Sequence, residues 1–412
     1  MGFGTVGLGR RGLLAGAAAL STARARAAGK PVIRIGVLSD MTGPYADSSG
    51  PGCVLGAQMA AEDAMRDFPD TTVEIIVGDM ENKPDVGVGI ARRWFDRENV
   101  AAIVDVPQSA VALAITGLAR EKNRVGLFSS AGSSELTGRA CGPNHIHWTH
   151  DSYGIPSAVT KAVIRAGGDS WFFITPNYAF GAALEHDSRQ FVLTAGAKVL
   201  GSVTYPFPET SDFSSFLLQA QASGAKVIGL AMSGQDVVNC VKQAMEFGID
   251  RKTQTFAGLA ILITTIHAVG LDAAQGMLLA VPFYWDLNDG TREFSTRFRA
   301  RNKGVVPTMN HAGAYAAVNH YLKAVRALGA DTAATDGAAT VLQMKAIPTD
   351  DPLFGKGEVR IDGRVIHDMH LFRVKTPAES KGSWDYYTHI GTVPGAEAFR
   401  PLHDGGCALV KF

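Results

Sequence analysis

The chain has 412 residues, with 39 lysines and arginines against 39 aspartates and glutamates. With no basic surplus to neutralise phosphates, nucleic acid is excluded as its main partner, and the apolar, glycine-rich composition excludes a disordered chain. The length exceeds what one hydrophobic core usually supports, so two domains of ~150–200 residues are expected.

Residues 1–27 read as a signal peptide. Arg10–Arg11 supply a positive start, Gly12–Leu20 a short apolar run, and Ala25-Arg26-Ala27 the small residues that precede cleavage near Ala28. The run falls short of the roughly 20 residues that span a bilayer. A periplasmic product is expected, exported by the general secretory route or, given the paired arginines, by the twin-arginine route. Gly7-Leu8-Gly9-Arg10-Arg11-Gly12 matches GxGxxG, but no strand precedes it, so the motif lacks the βαβ frame that makes it a phosphate cradle.

From Val32 the chain alternates short β-rich runs with longer helical patterns. Val32–Ser39 reads as a strand, Val54–Phe68 as a helix and Val73–Val77 as a strand. Pro84–Arg97 is a helix opened by proline, with Val88, Ala91 and Phe95 on one face. Ala101–Val106, Ser109–Glu121 and Val125–Ser129 continue the rhythm. It breaks over RACGPNHIHWTHDSYGIP, residues 139–156, and then restarts. Trp171–Thr175, Lys198–Tyr205, Lys226–Ala231 and Thr253–Ala257 read as strands. They are separated by helices over Gly181–Ala195, Asp212–Ala222 (with Ser211 as cap) and Gln235–Phe247. After Met277–Pro282 come helices over Thr291–Asn302 and Ala312–Leu328. Then GEVRIDGRVIHDMHLFRVK alternates in period two around Asp362-Gly363, a hairpin signal. The tail from Pro377 reads as irregular.

The fold class is therefore α/β, two Rossmann-like doubly wound lobes with a cleft between them. The expected division puts 28–150 plus 282–345 in the first lobe, 151–281 plus 346–376 in the second, and 377–412 in a C-terminal tail. The cysteines Cys53, Cys141, Cys240 and Cys407 form no CxxC. Cys141 and Cys407 both lie in glycine-rich segments where a bridge could form; four free or buried thiols is the other reading.

Ligands of such sheets sit beyond the carboxyl ends of the strands. The loops there carry Tyr45, Gln108, Ser109, Ser130, Gly132, Ser133, Tyr178, Phe180, Ser233, Gln235 and Leu259, with Tyr153 and Tyr284 beside the crossovers. Ser109 and Ser133 stand at expected helix N-termini, where hydroxyls and free N–H groups accept a carboxylate. Tyr45, Tyr178 and Phe180 offer flat apolar area. Ordinary caps and turns are the bland alternative for any one serine.

Catalytic patterns are poor. There is no GxSxG elbow, no Walker loop and no HExxH. His145-x-His147-x-x-His150 lacks zinc spacing and reads as hydrogen-bonded histidines of a crossover. Glu62-Asp63 reads as a surface pair, and Asp151 as a lone carboxylate near the hinge. No cofactor and no catalysis are expected.

The segments IRIGVLSDMTGPYA, GAQMAAEDA, FSSAGSSELTG, ITPNYAFGAALE and TSDFSSFLLQAQASGAKVIGL resemble the solute-binding proteins of ABC transporters, in the group of the leucine/isoleucine/valine-binding protein. The resemblance runs from Pro31 to Lys375. It implies two lobes joined by three crossovers, hinge closure on a ligand, and delivery to a membrane permease by a monomer. It places Ser109 and Ser133 at carboxylate-binding positions, Phe180 over the ligand, Ser233–Asp236 on another wall, and Phe283–Trp285 near the second hinge. One departure stands out. Where amino-acid binders of this family carry an acid for the ligand ammonium, this chain has Leu259. An unpaired ammonium in a closed cleft costs several kcal/mol. The expected ligand is thus a small organic carboxylate, aromatic acids included, unless Asp151 or Asp236 substitutes. Hydrophobic amino acids, short amides or urea are the alternatives, and an exported hydrolase or a ligand-sensing regulator the competing classes.

Overall fold

The computed structural model describes residues 1–4, 30–249 and 253–411. The signal-peptide and GxGxxG readings fall on segments outside the described residues.

The first sheet holds β1 (Val32–Ser39), β2 (Thr72–Asp79), β3 (Val100–Asp105), β4 (Val125–Phe128) and β5 (His145–His147). Its order is β2-β1-β3-β4-β5, parallel throughout. All six residues of β3, VAAIVD, are buried, as expected of a parallel strand covered on both faces. Gly36 in β1 makes room for an indole: a Cβ there would lie 2.4 Å from the Trp94 ring. The second sheet holds β6 (Ser170–Pro176), β7 (Lys198–Tyr205), β8 (Val227–Leu230) and β9 (Thr255–Gly258), ordered β7-β6-β8-β9 and again parallel. These are the two doubly wound lobes.

The chain crosses between lobes three times. The first crossing follows β5. The second follows β10 (Leu278–Val281), after which the Asp289–Arg301 and Met309–Leu328 helices return to the first lobe. There they pack on the Gly50–Asp67 helix, and Glu62 and Asp63 are the lock: Asp63 accepts hydrogen bonds from Arg297 and from the Tyr315 hydroxyl at 2.8 Å, and Glu62 pairs with Arg301. The third crossing passes through a small antiparallel sheet of β11 (Thr349–Asp351), β12 (Gly355–Val359) and β13 (Val365–Ile366). Arg364, fully buried, ties this crossing to the first by donating to the carbonyls of Trp148 and His150 and lying 3.6 Å from Asp151.

Several details depart from the sequence reading. The hairpin turn at Asp362-Gly363 forms, joining β12 to β13, but the second half of the alternating run is a separate strand. That strand, β14 (Met369–Val374), pairs with β10 and with β15 (Tyr387–Val393). The tail is therefore not irregular: β15 completes a sheet against the second lobe. Ser211 does not cap its helix, which starts at Ser214, and Asp212 instead accepts the Ser214 N–H at 2.9 Å. The first helix begins at Gly50 rather than Val54, because Pro51 fits its first turn. Short helices over Ile263–Val269, Leu271–Ala274, Ala330–Thr335 and Gly337–Ala346 escaped the reading; fewer than three turns carry little periodicity. Cys141 and Cys407 form a disulfide, while Cys53 and Cys240 are buried free thiols. The bridge fastens the tail, which comes from the second lobe, to the first. Among the described residues, no helix is long and apolar enough to cross a membrane.

Candidate functional site

The turn after β1 is folded by Asp40. Its carboxylate accepts the N–H groups of Gly43 at 2.7 Å and Tyr45 at 2.8 Å, and the Asn82 amide at 2.6 Å. The D-x-T-G-P-Y string is thus a carboxylate-centred turn that aims Tyr45 across the cleft. Next to it, Ser48 and Ser49 are held by the start of the Met309–Leu328 helix. Thr308 donates to the Ser48 carbonyl at 2.8 Å, His311 Nε2–H to the Ser49 carbonyl at 3.0 Å, and Asn310 Nδ2 to Ser49 Oγ at 3.2 Å.

The loop after β4 is pinned from beneath. His147 donates to the Ala131 carbonyl at 2.7 Å and His145 to the Leu136 carbonyl at 2.8 Å. Ser109 Oγ accepts the N–H groups of Gly132 and Ser133, both at 3.2 Å, so its own proton remains for a third partner. Beneath Ser130 lies Asp105, fully buried, taking hydroxyl protons from Ser130 and Ser39. Burial pushes its carboxyl up to about 6.

The second lobe supplies the opposite wall. Tyr178 and Phe180 open the Ala179–Thr194 helix, and Phe207 stacks on Tyr178 with ring centroids 4.6 Å apart and on Tyr45 at 5.7 Å. The Tyr45 and Tyr178 hydroxyls hydrogen-bond to each other across the cleft. The Gln235 N–H donates to the Pro44 carbonyl at 3.2 Å, and Ser134 to Asp187 at 2.9 Å. The lobes are therefore shut. Between them is a cavity of about 20 Å³, lined by Tyr45, Ser48, Ser49, Pro107, Ser130, Gly132, His150, Tyr178, Phe180, Ser233, Leu262 and Asn310. That volume holds about one water molecule, so a larger guest enters only when the lobes part and the rings move aside.

Six of the residues named from sequence share this cavity: Tyr45, Ser130, Gly132, Tyr178, Phe180 and Ser233. Ser109 lies behind Gly132, and Ser133 accepts the Glu135 N–H at 3.4 Å as the cap of a short 3₁₀ turn. Gln108 caps the Ser109–Lys122 helix through the Val111 N–H at 2.9 Å. Gln235 lines a neighbouring interlobe groove of about 360 Å³. Tyr153 stands outside, edge-on to Phe191. Leu259 is fully buried, and its neighbour Leu262 reaches the cavity instead. Tyr284 donates to the Trp384 carbonyl at 3.2 Å beside the second crossing. Ser48, Ser49 and Pro107 lie in the strand-end loops expected to hold the ligand but were not singled out, and sequence reasoning missed His150, Leu262 and Asn310. His150 was visible in its histidine string; Asn310 is distant in sequence and carried no local signal.

Among the described residues, no carboxylate, lysine or arginine lines the cavity, and its one imidazole is that of His150. Asp151 accepts the Tyr153 and Gly154 N–H groups at 3.1 and 2.6 Å and faces Arg364. Asp236 is engaged by the Tyr205 hydroxyl at 2.7 Å and opens on the neighbouring groove. His150 is neutral, its imidazole lowered to about 3 by burial and then by the nearby Arg364 charge. Burial likewise holds the Tyr45 and Tyr178 phenols protonated. The site is thus a closed, electrically neutral, aromatic cleft with hydroxyl and amide groups on its walls. Among the described residues, no group of three or more His, Cys, Asp or Glu side chains is placed to hold a metal ion.

A sequence profile of the family described as periplasmic binding protein matches residues 32–383. A periplasmic binding protein from Burkholderia mallei is 40% identical and superposes with a TM-score of 0.87, covering 93% of this chain and 100% of its own. A branched chain amino acid ABC transporter periplasmic ligand-binding protein from Burkholderia xenovorans is 38% identical, with a TM-score of 0.79 and coverage of 92% and 99%. A solute-binding protein of an ABC transporter from Rhodopseudomonas palustris, in complex with benzoate, shares the fold at 18% identity, with a TM-score of 0.77 and coverage of 88% and 97%.

Proposed function

The chain belongs to the periplasmic binding protein family, and from that premise we propose that it captures a small organic acid, aromatic acids foremost, between its two lobes and hands it unaltered to an ABC permease. The observation that carries the ligand reading is the charge-free cavity between Tyr45, Tyr178 and Phe180. A free ammonium would find no carboxylate there, since Asp151 and Asp236 are engaged elsewhere, and the desolvation of an unpaired charge would cost several kcal/mol. A carboxylate has neutral donors instead: the Ser233 hydroxyl and the Gly132 N–H, which Ser109 Oγ holds from behind. An aromatic ring fits against Phe180 and Tyr178, where flat faces stack.

Closure lets a permease tell loaded from unloaded protein, because a guest touching both walls favours the shut form. Nothing in the cavity acts as a nucleophile–base pair, which supports binding over turnover. A thermal-shift screen tests the reading. Benzoate or a hydroxybenzoate at ~100 times its dissociation constant should add about 2.7 kcal/mol of stability, and leucine should add less. Stabilisation by leucine alone would refute the organic-acid reading.

A further inference from the structure

We propose that Asp105, which touches no ligand itself, sets the hydrogen-bond polarity of the cleft: by holding the Ser130 proton it turns the Ser130 oxygen into an acceptor, so the site selects a solute that brings a hydroxyl or amide N–H to that wall. This rests on the reading of the cavity as the solute site and narrows the solute class.

A serine hydroxyl has one proton and two lone pairs. The Ser130 proton points inward, to Asp105 Oδ1, while Oδ2 takes the Ser39 proton at 2.5 Å. Ser130 lines the cavity, and the group it offers there is a lone pair with a carboxylate behind it. A carboxylate oxygen placed against Ser130 would meet two acceptors and no donor. A hydroxyl or N–H would complete the chain into Asp105.

A second observation marks the same wall. Asn310 is 5% exposed and lines the same cavity; its Nδ2 donates to Ser49 Oγ, while its Oδ1 has no partner. With the Ser130 proton committed to Asp105, the Cys53 thiol 3.8 Å away is the donor to Ser130 Oγ, which leaves one Ser130 lone pair for the cavity. Buried acceptors without donors are uncommon and costly to leave unmet. A solute donor entering this cavity would find a remaining Ser130 lone pair and the unpartnered Asn310 Oδ1 among its lining acceptors. The carboxylate of the same solute would then lie toward Ser233 and Gly132, and the two ends of the guest would be read by opposite hydrogen-bond rules.

The device depends on Asp105 being ionised. The groups facing it are Asp40 from the turn after β1, the Cys53 thiol from the Gly50–Asp67 helix, and the Ser39 and Ser130 hydroxyls; no cation is among them. Protonation of Asp105 in acid would give the carboxyl a proton of its own and release Ser130 to donate, so the preference for a donor should shrink from pH 8 to pH 5.

Isothermal titration calorimetry on the full protein with matched probes reads this directly. The pairs are benzoate against 3- and 4-hydroxybenzoate, and 4-methylpentanoate against 2-hydroxy-4-methylpentanoate. At pH 8 one hydroxylated member should bind about tenfold or more tighter than its parent. Ser130→Ala should abolish the ratio, and Asp105→Asn, which can hold fewer hydroxyl protons, should narrow it at least about threefold; unchanged melting of either variant confirms that it folds. Equal binding within both pairs, or a ratio that survives both variants, overturns the proposal. Discrimination confined to the aliphatic pair supports it while refuting the aromatic preference proposed above. Binding by no probe refutes the cleft reading and this inference together.

Discussion

The hydroxyls of Tyr45 and Tyr178 meet across the cleft, one from the turn after the first strand and one from the entrance to the Ala179–Thr194 helix of the other lobe. Each tyrosine also stacks on Phe207. This junction closes the mouth of the cavity, and it is made of groups that stay neutral over the physiological range.

Tyr178→Phe removes the bond and keeps the stack. A neutral hydrogen bond contributes about 0.5–1.5 kcal/mol, so the shut form should lose that margin. Small-angle scattering of the solute-free variant should show a larger radius of gyration than the parent, and the affinity for the solute should fall by roughly two- to tenfold. An unchanged radius would mean that the tyrosine pair does not hold the lobes together.

Gly132 has a more severe role. A Cβ at this position would lie 2.4 Å from the Phe180 ring and 3.4 Å from His150 Nε2. Gly132→Val should therefore block closure and abolish ligand-induced stabilisation. Its far-ultraviolet circular dichroism without solute should match the parent's, because the clash arises only where the two lobes meet. Retained solute binding, read by thermal shift, would contradict this geometry.

Acid should destabilise the protein through its buried histidines. His145 and His367 are lowered to about 4 and His150 and His311 to about 3, with burial the largest cause in each case. For His311 the geometry explains the shift: Nε2–H donates to Ser49, while Nδ1 accepts the Thr308 N–H at 3.1 Å, leaving no site for a second proton. In the unfolded chain these rings take up protons near 6.5. Unfolding thus absorbs protons below that value, and stability should fall as pH drops from about 6.5 toward 4. Calorimetric melting across that range checks it, and His311→Gln should flatten the slope.

Asp105 works in the opposite sense. Its folded value of about 6 lies above the ordinary carboxyl value, so the folded form binds the extra proton and stability is lost as pH rises through that window. The buried charge should be fully felt at pH 8. Asp105→Asn should stabilise the protein there by about 3 kcal/mol at most and have little effect at pH 4. Equal effects at both pH values would refute a buried ionised Asp105.

The Cys141–Cys407 bridge closes a span of 266 residues and carries the tail from the second lobe to the first. Beside it, Arg400 donates to the Ser134 carbonyl at 2.8 Å. Removing the bridge with Cys141→Ser plus Cys407→Ser should lower stability by about 2–5 kcal/mol and speed solute release, because the tail would no longer resist opening. Stopped-flow displacement measures the rate, and an unchanged rate would show that the tail does not restrain the hinge.

The two doubly wound lobes were legible because parallel strands buried on both faces write continuous apolar runs, and the helices between them are long enough to show a period. Tyr45, Tyr178, Phe180 and Ser130 were legible because they sit at strand ends, where such sheets hold ligands. Asn310 was not, because its place in the cavity depends on a helix that returns after the second crossing. Asp105 was read only as part of the strand Ala101–Val106. Its importance comes from Ser39 and Ser130, which the sheet order β1-β3-β4 brings to either side of it. Strand β15 hid in the tail because its partner β14 looked already paired in a hairpin.

The most direct test of the central claim is native mass spectrometry of the protein offered a mixture of benzoate, 4-hydroxybenzoate and leucine, followed by denaturation to release the guest. The account predicts one aromatic acid per chain, released at unchanged mass and absent from Gly132→Val. A guest of altered mass, leucine in its place, or equal loading of the Gly132→Val chain would contradict it.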